Sequence, residues 1–265
     1  MFASPSQIMF SIGNFNIYNY GVVLATAIAV GVLFSDWAGN KWFGLKKDAI
    51  IDLAPYLIIF GIIGARLYYC FLDIDFYLRF PTEIAAIRHG GISIHGAIFG
   101  GFIGLIIYAK RHKESIPKLC DVCSVGLILS QAIGRWGNFF NSEAYGLPTT
   151  LPWKLYIAEQ YRKIPYTNFE YFHPTFLYES ILDLIIFFIL VYISKNKLFK
   201  KSGNIALLYL ILYSAARIPI EYLRIDSVSY IFGIPVAIIV SASIIIVSLI
   251  LLLRRNNTKN KKVTK

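Results

Sequence analysis

Charged residues are scarce in this sequence: they make up 15% of its 265 residues, whereas 57% are hydrophobic. A water-soluble chain normally has about 25% charged and about 45–50% apolar residues, so the composition excludes an ordinary soluble protein. The alternation of apolar and polar positions that marks a transmembrane β-barrel is missing too, since residues 184–193 and 231–253 are continuous apolar runs. The sequence therefore predicts a helical membrane protein.

Cysteine is equally rare, with Cys70, Cys120 and Cys123 as the three occurrences. Three cysteines are too few for a disulfide framework, and the Cys120–Cys123 pair has no second pair or nearby histidines that would complete a zinc site. The sequence contains no other metal-ligand spacing and no nucleotide-binding motif. We therefore expect no metal and no cofactor.

Acidic residues are outnumbered, 15 against 26 basic residues, which gives a formal net charge of +11. A basic chain can bind nucleic acid, but here the basic residues are grouped between apolar runs, so we expect no nucleic-acid partner. The runs predict seven transmembrane helices, since a span needs about 20 apolar residues. We place them at residues 17–34, 49–71, 92–109, 119–140, 176–194, 204–221 and 231–253.

The distribution of basic residues predicts the orientation in the membrane. The connections after the first, third and fifth spans, together with the C-terminal tail, contain 17 lysines and arginines. The connections on the opposite side of the membrane contain six. By the positive-inside rule the N-terminus lies outside and the C-terminus in the cytoplasm. The first span lacks a preceding basic region and a cleavage signature, so we expect it to stay in the mature protein.

The expected architecture is all-α: a polytopic membrane helical bundle with about seven transmembrane helices. Residues 1–253 would form one domain, including a small outward-facing lobe at residues 141–174, and residues 254–265 a basic cytoplasmic tail. The lobe is rich in aromatic side chains, Phe172 among them, which suit the headgroup layer. No internal repeat is visible, which argues against an inverted-repeat transporter.

Arginines inside apolar spans are the first candidate functional residues. Arg66, Arg135 and Arg217 each cost at least about 2.5–3.5 kcal/mol to insert, so each needs a partner or a ligand. Arg135 shares a helix face with Asn138, and its planar fork of donors matches phosphate oxygens. Phosphate binding is one interpretation of Arg135. The alternative is a structural ion pair with Glu143.

A second basic group lies near the outer end of the sixth predicted span. Arg217, Glu221 and Arg224 follow i, i+4, i+7 spacing and therefore share one helix face. An ordinary surface ion pair, with Arg224 reaching to the interface, would explain this pattern. Two arginine groups that reach the same leaflet from different helices favour phosphate binding instead.

The third predicted span begins with a histidine beside small residues. Gly96, Gly100 and Gly104 recur at every fourth position, which lets a neighbouring helix approach closely. His95 is a candidate general base, because its ordinary pKa of about 6.5 suits proton transfer. The alternative is a histidine that only forms hydrogen bonds.

Two further groups complete the candidates. Glu179 and Asp183 lie one turn apart in an apolar span and are the predicted counter-charges of the arginines, with charge balance and direct chemistry both open. Tyr20 places a phenol at the start of the first span, where tyrosines ordinarily lie at the membrane interface.

Four segments resemble one known family. They are residues 91–96, 134–146, 173–179 and 217–224, with the sequences GISIHG, GRWGNFFNSEAYG, HPTFLYE and RIPIEYLR. These segments resemble those of the bacterial prolipoprotein diacylglyceryl transferases. The resemblance implies a seven-helix inner-membrane enzyme. Such an enzyme moves the diacylglyceryl group of phosphatidylglycerol onto the lipobox cysteine thiol of a prolipoprotein and releases glycerol phosphate.

The resemblance also implies which residues act. The implied catalytic residues are Tyr20, His95, Arg135, Glu143 and Arg217. The implied phosphatidylglycerol-binding residues are Arg135, Asn138, Gly146, Arg217, Glu221 and Arg224. His95 is the first choice for the base, with Tyr20 or Glu143 as relays. Phe176 departs from the family pattern, which often has glutamine there, and this weakens any polar role at that position.

The implied chemistry agrees with the residues. A cysteine thiol has an ordinary pKa near about 8.5, so a base or a positive field is needed to form the thiolate. The leaving phosphate carries negative charge that Arg135 and Arg217 would stabilise. The expected partners are phosphatidylglycerol, the prolipoprotein lipobox and membrane lipid. A transporter or channel is the alternative, with intramembrane charges lining a path, but these charges gather at the outer ends of spans.

Overall fold

The computed structural model describes residues 2–13, 15–86, 90–199, 201–226 and 229–257. In these ranges the α-helices are α1 (Asn19–Phe43), α2 (Ala49–Leu72), α3 (Ile74–Arg79), α4 (Ile94–His112), α5 (Ile116–Phe140), α6 (Thr175–Lys195), α7 (Asn204–Leu223) and α8 (Val236–Asn257). The strands are β1 (Phe2–Ala3), β2 (Ile8–Ile12), β3 (Phe15–Tyr18), β4 (Leu155–Tyr156), β5 (Tyr171–Phe172), β6 (Tyr230–Ile231) and β7 (Ile234–Pro235). Short 3₁₀ turns occupy Pro81–Ala85 and Glu159–Tyr161.

The prediction of a multi-pass helical membrane protein is confirmed. Six of the described helices are long and apolar enough to cross a bilayer, namely α1, α2, α5, α6, α7 and α8. The remaining predicted span, residues 92–109, corresponds to the 19-residue α4. Its first turn contains His95 and its last turn contains Lys110, Arg111 and His112, which leaves a shorter apolar stretch than in the other six.

Short β-hairpins correct the predicted span limits at both ends of the chain. The first span was expected to begin at residue 17, but β3 pairs with β2 up to Tyr18, and α1 then continues to Phe43. The last span was expected to begin at residue 231, but β6 and β7 form a hairpin and α8 begins at Val236. The hairpins show that the chain is mostly, rather than purely, α-helical.

The chain divides into two compact units, and residues 35–123 form one of them. Within it, α2 and α4 pack through glycines: a Cβ placed on Gly104 would lie 2.5 Å from the Tyr56 carbonyl oxygen, and one placed on Gly100 would overlap the Phe60 carbonyl. The predicted close approach at Gly96, Gly100 and Gly104 is therefore confirmed.

The other unit comprises residues 1–34 and 124–265. In this unit, the N-terminal strand β1 pairs in parallel with β4 of the lobe, and β4 pairs in antiparallel with β5. The lobe has a small apolar core made of Tyr145, Leu155, Ile157, Phe172 and Phe176. Phe172 is completely buried, so its ring packs inside this core and is not exposed at the lobe surface. A core of this kind gives the lobe a defined shape beside the membrane helices.

Two predictions about chain organisation stay predictions. One concerns a single domain over residues 1–253. The other concerns the tail at residues 254–265, of which α8 includes the first four, to Asn257, while residues 258–265 lie outside the described residues.

Candidate active site

One buried carboxylate gathers three arginines in the unit of residues 1–34 and 124–265. Glu179 on α6 accepts hydrogen bonds from Arg217 Nη1 at 2.8 Å and Arg224 Nη1 at 3.1 Å through its Oε1 atom. Its Oε2 atom lies 2.7 Å from Arg135 Nη2. Only 5% of Glu179 is exposed, so these ion pairs lie in a largely desolvated site. The prediction that Glu179 is a counter-charge is confirmed, and we call this group the arginine cluster.

Arg135 makes its further contacts on the α6 and α7 side. Its Nη2 atom donates to the Tyr213 hydroxyl at 3.1 Å, and its Nε atom lies 4.0 Å from Asp183 Oδ2. Asp183 is therefore confirmed as a second counter-charge. Among the described residues, no ion pair joins Arg135 to Glu143. The alternative interpretation of Arg135, a structural ion pair with Glu143, is therefore wrong.

The two arginines of α7 have their own carboxylates. Arg217 Nη2 donates to Glu221 at 2.5 Å, which confirms the i, i+4 pair on one helix face. Arg224 Nε and Nη2 donate to the two oxygens of Asp226 at 2.8 and 2.7 Å. Because Arg224 Nη1 also donates to Glu179, each of its three guanidinium nitrogens donates to a carboxylate.

Asp226 connects the arginine cluster to the lobe. Lys163 Nζ lies 3.9 Å from its carboxylate. Burial by itself would raise the pKa of Asp226, but the hydrogen bonds and charge of Arg224, with the charge of Lys163, outweigh burial and lower the pKa below its ordinary value. A lowered pKa means that ionised Asp226 stabilises the fold above its ordinary pKa. That contribution is lost as the pH falls through the lowered value.

Glu143 belongs to a separate, amide-rich arrangement at the end of α5. Its Oε1 atom accepts from Asn138 Nδ2 at 3.0 Å and Asn141 Nδ2 at 3.3 Å, and its backbone N–H donates to the Asn138 carbonyl at 3.1 Å. Positive φ angles at Ser142 and Ala144 reverse the chain here and hold Glu143 against the helix end. Asn138 is therefore a partner of Glu143 within the protein.

Tyr20 lies close to this arrangement. A Cβ placed on Gly137 would lie 2.8 Å from the Tyr20 ring, so the ring packs directly on the glycine of α5. Tyr20 also interacts electrostatically with both Glu143 and Arg135. The structure therefore brings Tyr20, Glu143 and Arg135 into one neighbourhood.

Gly146 holds the lobe against the end of α7. Its N–H donates to the His173 carbonyl at 2.9 Å, and it forms an isolated β-bridge with Arg224. A Cβ at this position would lie 2.8 Å from the Leu223 carbonyl oxygen and 2.9 Å from His173 Cβ. Glycine is required because backbone and side-chain atoms approach too closely for any Cβ.

The segment that opens α6 is structural in its described contacts. His173 Nδ1 lies 3.2 Å from the Tyr178 hydroxyl, and burial lowers the pKa of His173. Phe176 stacks on Phe139, with ring centroids 5.1 Å apart, and is almost fully buried. Its apolar packing agrees with the weakened polar role expected there.

His95 and Arg66 belong to the other unit, residues 35–123. His95 is exposed in the first turn of α4, 6.2 Å from the Tyr68 ring between centroids. Arg66 is buried and donates to the carbonyls of Ile84, Gly90, Gly91 and Glu83. Its partners are backbone carbonyls, so Arg66 shapes a loop, and the assignment of His95 as base stays a prediction.

Sequence reasoning missed the tyrosines of α7. Tyr213 contacts Arg135, and the Tyr209 hydroxyl donates to Gln131 Oε1 at 2.9 Å. Tyr209, Tyr213, Arg217 and Glu221 follow each other at every fourth position. That spacing would have placed both phenols on the arginine face of the helix.

Comparisons with known proteins agree with this site. The family model described as prolipoprotein diacylglyceryl transferase matches residues 7–254. The chain is 46% identical over 230 residues to the phosphatidylglycerol–prolipoprotein diacylglyceryl transferase of Synechocystis sp., covering 85% of this chain and 81% of that protein. It is 42% identical over 228 residues to the protein of that name from Thermotoga maritima, covering 84% and 75%. The chain belongs to the prolipoprotein diacylglyceryl transferase family.

Membership in the prolipoprotein diacylglyceryl transferase family confirms the resemblance inferred from the four segments. It makes the chain a multi-pass membrane transferase. The transporter interpretation is not favoured, because the charged residues gather around Glu179 instead of lining a path across the membrane.

Proposed function

We propose that the chain transfers the diacylglyceryl group of phosphatidylglycerol to the lipobox cysteine of prolipoproteins, at the outer face of the bacterial cytoplasmic membrane. One observation carries this proposal. Guanidinium groups from α5 and α7 converge on a single anion, the Glu179 carboxylate, at 2.7 and 2.8 Å. Two guanidinium groups that bind the same carboxylate are positioned to bind a phosphate group beside it.

The remaining donors of the arginine cluster identify the phosphate ligands. In the described part of the chain, Arg135 Nε and Nη1 and Arg217 Nε have no hydrogen-bond partner. Each nitrogen of the Arg224 guanidinium, in contrast, already donates to a carboxylate, that of Asp226 or that of Glu179. Arg135 and Arg217 are therefore the phosphate-binding residues of the proposal. Arg224, Glu221 and Gly146 support phosphatidylglycerol binding by holding those arginines and the adjoining backbone.

The reaction breaks one bond and forms one. The cysteine sulfur attacks the carbon of the diacylated glycerol that carries the phosphate, the bond from this carbon to the phosphate oxygen breaks, and the thioether C–S bond forms. Glycerol phosphate leaves with the electron pair, and Arg135 and Arg217 stabilise the charge on the phosphate in a site of low dielectric constant. The thiol proton goes to a base, with His95 as the first choice and Tyr20 or Glu143 as relays. Asn138, whose amide also donates to Glu143, orients the phosphate in this scheme.

Transfer to a synthetic peptide tests the proposed activity. Purified protein in phosphatidylglycerol liposomes should add one diacylglyceryl group to a lipobox peptide, measured by mass, without added metal or nucleotide. The matched control is the same peptide with serine in place of the cysteine, which should stay unmodified because a hydroxyl is a much poorer nucleophile than a thiolate. An unmodified cysteine peptide would contradict the activity. Loss of transfer on chelation would contradict a cofactor-free mechanism.

Cysteine labelling tests the proposed orientation, in a background that lacks Cys70, Cys120 and Cys123. Thr150 in the lobe and Lys113 after α4 are both exposed. Thr150→Cys should react with a membrane-impermeant reagent added from outside and Lys113→Cys should not, because the basic connections stay in the cytoplasm. This pair also tests α4, since Lys113 reaches the cytoplasmic side only if α4 crosses the membrane. The reverse pattern would contradict the orientation.

A further inference from the structure

A second concave site, with different chemistry from the arginine cluster, lies in the unit of residues 1–34 and 124–265. A cavity of about 500 Å³ lies between residues 3–8, β4 and the 3₁₀ turn Glu159–Tyr161 of the lobe. Tyr18 and Ser142 also line it, and these precede Tyr20 and Glu143 by two residues and one residue. The lining of the cavity therefore includes close sequence neighbours of two candidate catalytic residues, and we call the cavity the lobe groove.

The lobe groove is uncharged but able to form hydrogen bonds. Its described lining contains hydroxyl, amide and small apolar groups and no charged side chain. The phenols of Tyr18, Tyr156 and Tyr161 and the amide of Gln160 have no hydrogen-bond partner in the described ranges, although each lines the cavity. The described lining offers no cation to bind an anionic headgroup. It offers hydrogen-bond donors and acceptors to a neutral ligand that has N–H and C=O groups.

We infer that the lobe groove binds the residues of the prolipoprotein that follow the lipobox cysteine, an inference that rests on the proposed function. A polypeptide main chain supplies the neutral N–H and C=O groups that this lining suits. The apolar signal segment before the cysteine lies in lipid, whereas the residues after the cysteine lie outside the bilayer, on the side proposed for the lobe. The cavity volume is in the range of specific ligand sites, about 300–1,000 Å³.

The sheet beside the groove offers a second mode of contact. The strand order is β1–β4–β5, so β1 is an edge strand, and residues 4–8 after it form one wall of the groove. An extended peptide can add main-chain hydrogen bonds along such an edge, while its side chains occupy the adjoining pocket. Binding of this kind depends little on side-chain identity and suits a transferase that modifies many different polypeptides.

Two peptide substrates test the inference. One ends at the lipobox cysteine as an amide, and the other continues for four uncharged residues. We expect the kcat/KM of the longer peptide to be about tenfold higher, the factor that corresponds to about 1.4 kcal/mol of added binding. In Gln160→Trp the indole fills the groove, and the ratio of the two kcat/KM values should fall to about one.

Glu159→Trp is the matched control, because Glu159 is also exposed, is the neighbour of Gln160 on the same turn and does not line the groove. This variant should keep the tenfold ratio. A benzophenone placed two residues after the cysteine should crosslink to residues 3–8 or 156–161. Equal kcat/KM for both peptides, equal effects of the two tryptophans, or crosslinks elsewhere would overturn the groove assignment alone. Absence of transfer to both peptides would overturn the proposed function, and the groove assignment with it.

Discussion

Replacing Arg135 by lysine is expected to lower the rate of diacylglyceryl transfer about 10²-fold or more, the cost typical of losing one donor to a developing anion. Arg135 binds Glu179 and Tyr213 through Nη2 and keeps Nη1 free for the phosphate among the described residues. Lysine preserves the charge but has no planar fork, so it cannot hold the carboxylate and the phosphate in the same fixed geometry. The measurement is peptide lipidation by mass, together with thermal unfolding in detergent.

Arg79→Lys serves as the control for this prediction, because Arg79 is exposed at the end of α3 and lies outside the arginine cluster. It should keep normal transfer. Near-normal turnover in Arg135→Lys would defeat the assignment of Arg135 as a phosphate ligand. A double-mutant cycle adds a second criterion, since Arg135→Gln should couple in stability with Glu179→Gln and little with Glu143→Gln.

The apolar spans could be predicted because their signal is local. An uninterrupted run of apolar residues specifies a helix of membrane length, so the predicted limits of α2, α5, α6 and α7 differ from the observed ones by at most three residues. The pairing of β1 with β4 joins residues 2–3 to residues 155–156. Two-residue strands so far apart in sequence carry no periodicity, and the lobe sheet could not be predicted.

The site was predictable only where its contacts follow helix spacing. Arg217 and Glu221 are four residues apart, and their ion pair follows from that spacing. The contact between Arg135 and Glu179 joins α5 to α6, and no sequence interval encodes it. Glu143 looked like the nearer partner of Arg135 in sequence, but the chain reversal at Ser142 and Ala144 directs its carboxylate to two asparagines instead.

Replacing Glu179 by glutamine is expected to cause the largest loss of stability. Glu179 is the shared anion of Arg135, Arg217 and Arg224, and it is 5% exposed. Removing one partner of a buried ion pair typically costs about 3–5 kcal/mol, because the remaining charge stays desolvated without compensation. Glutamine keeps the shape of the side chain and one hydrogen-bond acceptor. The measured loss of stability is therefore due to the loss of the negative charge. Thermal unfolding in a neutral detergent measures it.

Phosphatidylglycerol should then stabilise Glu179→Gln more than it stabilises the unchanged protein, because the lipid phosphate supplies the anion that the arginines have lost. Glu143→Gln is the matched control: Glu143 is bound by the amides of Asn138 and Asn141, so its neutralisation leaves no arginine without a counter-charge. Its unfolding temperature should fall less and should gain no extra stabilisation from the lipid. Equal shifts for the two variants, with and without phosphatidylglycerol, would show that the arginine cluster is not an anion site and would remove the basis for phosphate binding by Arg135 and Arg217.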